Sequence, residues 1–129
     1  MSHWRFFDYA EDIETWYDGL SEEGQNIFDG ILKVNSKTDL PLRWVACEML
    51  QGACKDQGIW EWRFRADNTQ SRLLGVFGEE LRKTAIFLIG CTHKQKIYQP
   101  HDCLESAIKR AKSIQKGASF NERKVREDI

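Results

Sequence analysis

One short segment, residues 60–65, constrains the fold more than any other because aromatic and charged side chains alternate along it. A period of two places the aromatic side chains on one face of a β-strand and the charged side chains on the other. The segment therefore predicts a strand that is buried on one face and charged on the other. The buried set is Trp60, Trp62 and Phe64, and the charged set is Glu61, Arg63 and Arg65.

Two more strands are predicted directly after this segment. Residues 67–70 (Asp-Asn-Thr-Gln) favour a turn, and Arg72 to Phe77 then forms a second strand with Arg72, Leu74 and Val76 on one face. A turn at residues 78–80 leads to Thr84–Cys91, whose nearly continuous apolar run is typical of a central strand buried on both faces. Three strands joined by short turns indicate an antiparallel meander.

The part of the chain before this meander is mostly helical in pattern. A short aromatic strand is expected at His3–Tyr9, followed by a helix over Asp12–Leu20. Ser21, followed by two glutamates, is a suitable N-cap for a second helix over residues 21–35. The two helices predict a helical hairpin that turns near Gly19–Ser21.

Two further helices and a polar end complete the predicted order. Leu42–Gln51 favours a short helix with Trp44, Val45 and Leu50 buried, and a last helix is capped by His101 or Asp102. Residues 117–129 are polar and charged, which predicts a loosely held tail. We therefore expect one α+β domain over residues 1–116. It should have a mostly antiparallel sheet of three to four strands, an N-terminal helical hairpin and a C-terminal helix, with the helices on one face of the sheet.

Composition restricts the class of protein. The chain has 129 residues, which suits one domain, and it contains neither an apolar run of about 20 residues nor the pattern of a signal peptide. These features predict a cytoplasmic protein that does not bind membranes. The four cysteines form no Cys-x-x-Cys pair and are expected to be buried, reduced thiols. They are Cys47, Cys54, Cys91 and Cys103.

Charge is unevenly divided between the two halves of the chain. Residues 1–58 carry five Lys and Arg against eleven Asp and Glu, whereas residues 59–129 carry fourteen against nine. A basic half is typical of proteins that bind a polyanion such as a nucleic acid. The alternative is that the charges mix in the folded protein and form an ordinary solvated surface.

Three segments of the predicted strands carry a pattern shared with a known family. Residues 58–65 read Gly-Ile-Trp-Glu-Trp-Arg-Phe-Arg, residues 71–74 read Ser-Arg-Leu-Leu, and residues 88–94 read Leu-Ile-Gly-Cys-Thr-His-Lys, with Pro100 six residues after Lys94. In order and spacing they resemble the phage-derived branch of the RelE/HigB superfamily of toxins from toxin–antitoxin pairs. The resemblance covers about residues 42–115.

The resemblance implies a RelE-like fold and endonucleolytic cleavage of mRNA, usually on the ribosome. The 2′-OH of RNA is then the nucleophile, so neither a metal nor another cofactor is required. A cognate antitoxin protein is implied as the partner, lying against the basic face or the N-terminal helices. Arg63 and Arg65 share a face by alternation, and the resemblance adds Arg72 and Lys94 as cations that would bind phosphate. His93 and Tyr98 are the nearby groups able to transfer protons or stack on a base.

Departures from the family pattern keep other functions open. Gln95 stands where the family has a second lysine, Thr92 where it has an aromatic residue, and Gly90 where it has a histidine. A non-catalytic module of phage or mobile-element origin that binds RNA or protein is therefore the alternative. Arginines two apart on a strand are also typical of a plain solvated face. The Cys91-x-His93 and His101-x-Cys103 pairs could supply zinc ligands, but their spacing matches no common zinc motif, and no metal is expected.

Overall fold

The alternating segment forms a strand in the structure, a computed structural model that describes residues 3–39, 41, 44–78 and 83–128. The class is α+β, as expected. The strands are β1 (Arg5–Asp8), β2 (Cys47–Met49), β3 (Trp60–Ala66), β4 (Thr69–Phe77), β5 (Thr84–Lys94), β6 (Ile97–Gln99) and β7 (Asn121–Arg123), and the helices are α1 (Asp12–Asp18), α2 (Glu22–Ser36), α3 (Ala53–Asp56) and α4 (Cys103–Gln115).

The sheet is larger than predicted, and it is mixed. Its order within the described ranges is β2-β3-β4-β5-β1-β7, with β6 paired to the end of β5. β1 runs parallel to β5, whereas the other pairs are antiparallel. The expectation of a three- to four-stranded antiparallel sheet was therefore wrong. The meander β3-β4-β5 was found, and the short strand predicted at His3–Tyr9 is β1, but β2, β6 and β7 have only three residues each and carry too little pattern to be recognised.

Helices cover both faces of the sheet rather than one. α1 packs on β5 and α2 packs on β3, on the face of Trp62 and Phe64, which we call the α2 face. α3 and α4 lie on the opposite face, the α4 face, where Leu74 and Cys91 are buried. The predicted N-terminal helical hairpin was wrong, because each helix is placed by its own strand. The Ser21 cap is confirmed, since its hydroxyl accepts a hydrogen bond from Gly24 N at 3.0 Å.

The predicted helix over residues 42–51 was also wrong. Part of it, residues 42 and 43, lies outside the described residues, and the remainder contains β2 at the edge of the sheet. Trp44 is buried as expected, but Val45 is 70% exposed. Ala46 has a positive φ of 65°, which interrupts helical geometry directly before the strand.

The C-terminal residues are held more firmly than their composition predicted. Asn121–Arg123 pairs antiparallel with β1, and the buried Arg123 side chain forms ion pairs with Asp8 and Glu14. Asp8 and Glu14 lie in the acidic first half of the chain, so the charges that composition separates meet in the fold. No helix in the described part of the chain combines the length and the apolar character needed to cross a membrane.

A one-residue bulge interrupts the central pair of strands. Leu74 pairs with Ile89, whereas the next residue, Gly75, pairs with Phe87, so Leu88 is the extra residue of β5. A side chain at Gly75 would approach Ile86 O to 2.8 Å, which explains why glycine fits this close contact. Because a bulge reverses the alternation that follows it, the rest of β5 presents the opposite set of side chains to each face.

Candidate active site

The three predicted arginines lie on the α4 face of the sheet. Arg63 is directly opposite Arg72 in the β3–β4 register, and Arg65 is two residues further along β3. α4 packs on β4 and β5, whereas Arg65 on β3 is exposed to solvent. Lys94 ends β5 on the other face, because it alternates with His93. The structure therefore brings Arg63, Arg65 and Arg72 together and leaves Lys94 apart.

His93 and Tyr98 reach the same face as the arginines through a short hairpin. The strands β5 and β6 are joined by Gln95 and Lys96, both in the left-handed region, with φ of 51° and 66°. This turn pairs His93 with Tyr98, and their ring centroids lie 4.7 Å apart. No hairpin was predicted at these positions, because neither turn residue is a glycine.

Glu61 is the central residue that sequence reasoning missed. Alternation places it on the charged face of β3, yet its side chain is only 5% exposed. Tyr98 Oη donates a short hydrogen bond to Glu61 Oε2, and Arg72 Nε lies 3.5 Å from Oε1. The sequence feature that indicates its burial is the apolar Leu74, which the structure places directly opposite Glu61 on β4. A buried carboxylate requires such partners to remain charged.

Arg72 links the carboxylate to the imidazole. Its Nη2 donates to Gln70 Oε1 at 2.8 Å and lies 3.4 Å from His93 Nδ1. Its Nε is buried without a directed hydrogen bond, so the 3.5 Å approach to Glu61 is charge attraction rather than a well-aligned bond. The Arg72 side chain is 12% exposed, and its guanidinium lies between the Glu61 carboxylate and the His93 imidazole.

Arg63 lies further out than Arg72. Its Nε is 3.8 Å from Glu61 Oε1, and its Nη2 contacts a carboxylate oxygen of Glu48 on β2. Its side chain is 40% exposed, so one side of the guanidinium faces solvent. We call the group of five side chains the site cluster: Glu61, Arg63, Arg72, His93 and Tyr98.

The environment of Tyr98 fixes its protonation. Burial raises the pKa of the Tyr98 phenol, and its hydrogen bond to Glu61 raises it further, because a phenolate beside a carboxylate is unfavourable. The Arg72 guanidinium opposes this only weakly. Tyr98 therefore remains a hydrogen-bond donor that orients Glu61, and it is a poor proton source for a reaction.

The thiols close to the cluster are unsuited to nucleophilic chemistry. Cys54, Cys91 and Cys103 are buried and free, as expected, whereas Cys47 is partly exposed. A hydrogen bond with Cys103 and burial raise the pKa of the Cys91 thiol, which disfavours the reactive thiolate. The Cys91-x-His93 and His101-x-Cys103 pairs belong to no metal site: no group of three His, Cys, Asp or Glu side chains within the described ranges could hold a metal ion.

Two cavities lie away from the site cluster. One of about 350 Å³ is between the C-terminal end of α4 and the ends of β4 and β5, lined in part by Val76, Ile86 and Phe120. Another, of about 370 Å³, lies beside Trp16 and Thr92 on the α2 face. The site cluster is instead at an open end of the sheet, which suits an extended ligand better than an enclosed small molecule.

Comparisons of the chain with protein-family models, with curated proteins and with solved structures give no match. The resemblance to the RelE/HigB toxins therefore remains a prediction from three sequence segments, and the chemistry of the site cluster has to be argued from its own residues.

Proposed function

We propose that this protein is an endoribonuclease that acts at the site cluster, and that it is the toxin of a toxin–antitoxin pair. One observation carries the proposal: Arg72 places a guanidinium 3.4 Å from the His93 imidazole and 3.5 Å from the Glu61 carboxylate. An imidazole and a fixed cation side by side are the groups that cleavage of RNA by its own 2′-OH requires.

The reaction needs two bond changes at phosphorus. The 2′-oxygen attacks the adjacent phosphate and loses its proton, the bond from phosphorus to the 5′-oxygen breaks, and the departing oxygen takes a proton from water. The products are a 2′,3′-cyclic phosphate and a 5′-hydroxyl. Negative charge accumulates on the phosphate oxygens in the transition state, where guanidinium groups stabilise it.

Each member of the cluster has a role suited to its position. Arg72, whose Nη2 lies on His93 Nδ1 in the free protein, turns to bind the reacting phosphate, and the partly exposed His93 then accepts the proton of the 2′-OH at Nδ1, while Arg63 assists from the open side. Glu61 and Tyr98 are positioning residues: the carboxylate holds both guanidinium groups, and the phenol holds the carboxylate and packs against the His93 ring. All protons are thereby transferred without a metal ion.

The proposal is tested with purified protein and a labelled single-stranded RNA, as free RNA in the presence of EDTA and, separately, with ribosomes in Mg²⁺ buffer. We expect cleavage that leaves a 2′,3′-cyclic phosphate and stops when the reacting nucleotide is 2′-deoxy. Arg72→Ala should abolish it, and induced expression should slow growth only for the wild type. A wild type that neither cuts RNA nor slows growth refutes the proposal, whereas equal activity of Arg72→Ala refutes the assignment of the site.

A non-catalytic module that binds RNA or protein is the second candidate, and one observation favours it. Arg63 and Arg72 already face carboxylates, and Lys94 is directed to the opposite face, so the net positive charge available for catalysis is small. This alternative predicts that the wild type binds RNA without cutting it, and that His93→Gln leaves binding unchanged.

The proposed toxin function implies a protein partner, the antitoxin, and a cellular compartment. An antitoxin with an acidic segment would lie against Arg65, which forms no ion pair among the described residues, or against the N-terminal helices. Because the proposed substrate is mRNA on the ribosome, the protein would act in the cytoplasm. Co-expression with the product of a neighbouring small open reading frame tests this directly, since a true antitoxin should co-purify and restore growth.

A further inference from the structure

Two glutamates face each other across the edge of the sheet at the site cluster. Glu48 of β2 is the cross-strand partner of Glu61 of β3. Like charges directly opposite each other destabilise a strand pair unless a cation lies between them. Arg63 supplies that cation, because its guanidinium contacts both carboxylates.

The two carboxylates differ in exposure, and so they differ in how easily they can be replaced. The Glu61 side chain is 5% exposed, whereas that of Glu48 is 67% exposed. Removing the buried Glu61 carboxylate would leave the largely buried Arg72 guanidinium without its ion-pair partner, whereas an exposed ion pair contributes little and exchanges readily with solvent. Glu48 is therefore the exchangeable ligand of Arg63.

A phosphate group of RNA carries the same charge as the Glu48 carboxylate and can accept two parallel hydrogen bonds from a guanidinium. We propose that Glu48 occupies the outer side of the Arg63 guanidinium in the free protein and competes there with a phosphate of the RNA substrate. Glu48 thus sets the affinity for RNA without taking part in the reaction. This inference rests on the proposed function, because it requires that the site cluster binds RNA.

The test compares Glu48→Gln with Glu105→Gln, which removes the same charge from an exposed position on α4. The probe is a fluorescent single-stranded RNA with 2′-O-methyl groups throughout, which cannot be cleaved, and its Kd is measured by fluorescence anisotropy. We expect Glu48→Gln to lower the Kd about two- to fivefold, the range of an exposed ion pair. Glu105→Gln should change it less. With cleavable RNA, the KM should fall and the kcat should stay the same.

The decisive comparison measures the effect of Glu48→Gln on the Kd in a protein that also carries Arg63→Gln. Because the gain comes from freeing Arg63, Glu48→Gln should give no gain in Kd when residue 63 is already glutamine. Glu48→Ala removes every polar contact between residue 48 and Arg63, and in the wild-type background it should lower the Kd as Glu48→Gln does. This variant tests whether the lower Kd is due to the introduced glutamine side chain. Thermal unfolding of each variant checks that it is folded before its Kd is compared.

The outcomes separate this inference from the proposed function. If the wild type binds RNA, but Glu48→Gln and Glu105→Gln have equal effects, or the gain persists without Arg63, the competition is refuted and the proposed function stands. If neither the wild type nor Glu48→Gln binds the free RNA, the inference is refuted, and the cleavage assay with ribosomes decides the proposed function separately.

Discussion

Two clusters of arginines and carboxylates in the described part of the chain resemble each other in composition. In the site cluster, Tyr98 donates a hydrogen bond to Glu61, which attracts two arginines. In the second cluster, Tyr17 donates a hydrogen bond to Asp29, which also pairs with Arg126. We call the second group the tail cluster: Asp8, Glu14, Tyr17, Asp29, Arg123 and Arg126.

The clusters differ in what they connect. Arg123 of β7 is 8% exposed and lies 2.8 Å from Asp8 on β1 and 2.6 Å from Glu14 on α1. It therefore ties the C-terminal strand to the first strand and the first helix. Arg63, by contrast, is 40% exposed at the open end of the sheet, where His93 provides an imidazole. A guanidinium beside an imidazole, with a second and partly exposed guanidinium on the same face, distinguishes the candidate site from a structural clamp better than the number of ion pairs does.

The largest expected effect concerns the imidazole. His93→Gln keeps a polar side chain of similar reach beside Arg72 but cannot accept the proton of the 2′-OH. We expect kcat for RNA cleavage to fall by about 10²–10⁴-fold, with the melting temperature nearly unchanged. Single-turnover cleavage measures this, and His101→Gln, at an exposed position before α4, is the matched control. Unchanged cleavage by His93→Gln would remove the residue from the mechanism.

The tail cluster should respond to substitution in stability rather than activity. Arg123→Ala leaves the Asp8 carboxylate, which is 13% exposed, without its guanidinium. We expect the free energy of unfolding to fall by about 3–5 kcal/mol, measured by urea denaturation, because an unpaired buried charge remains. Arg126→Ala, at a 38% exposed side chain, should cost less. Cleavage per folded molecule should be unchanged in both variants, and a selective loss of kcat contradicts a purely structural role.

Each cluster contains a tyrosine whose ionisation links stability to pH. Burial, followed by the hydrogen bond to a carboxylate, raises the pKa of both Tyr17 and Tyr98 above the ordinary value of about 10. Since the folded state then holds the proton more tightly than the unfolded state, this stability is present below pH 10 and is lost as the pH rises through the folded-state pKa.

Urea denaturation between pH 8 and pH 11 tests this linkage for the two tyrosines separately. Tyr17→Phe and Tyr98→Phe should each lose stability less steeply with rising pH than the wild type, because each lacks one of the raised phenols. If Tyr98→Phe follows the wild-type curve, the phenol is not held protonated by Glu61. Only Tyr98→Phe should also reduce cleavage, which separates the two clusters again.

The smallest expected effect is on RNA binding, and it compares a cation on each face of the sheet. Arg65 is exposed on the face of the site cluster, whereas Lys94 is exposed on the opposite face. Arg65→Ala should weaken RNA binding about two- to fivefold, the range expected for one exposed ionic contact. It should also reduce the dependence of the Kd on salt, because one phosphate contact is lost. Lys94→Ala should change neither. A larger effect at Lys94 shows that RNA binds across the end of the sheet.

The sequence alone determined the elements whose patterns are long enough to read. Strict alternation over residues 60–65 predicted β3 and placed Arg63 and Arg65 on the same face. The apolar run at Thr84–Cys91 predicted the central strand, and Ser21 predicted the start of α2. These predictions hold because they depend on local periodicity and capping, which the tertiary structure did not override.

The tertiary structure alone decided how the candidate site is assembled. Uninterrupted alternation from Phe87 would have put His93 on the α2 face, and the bulge at Leu88 moves it beside Arg72 instead. Glu61 is buried because Tyr98 folds back over it from β6. Both outcomes depend on the pairing of distant strands. Alternation gives only the period of a strand, whereas its register and bulges are set by the neighbouring strands on which it packs.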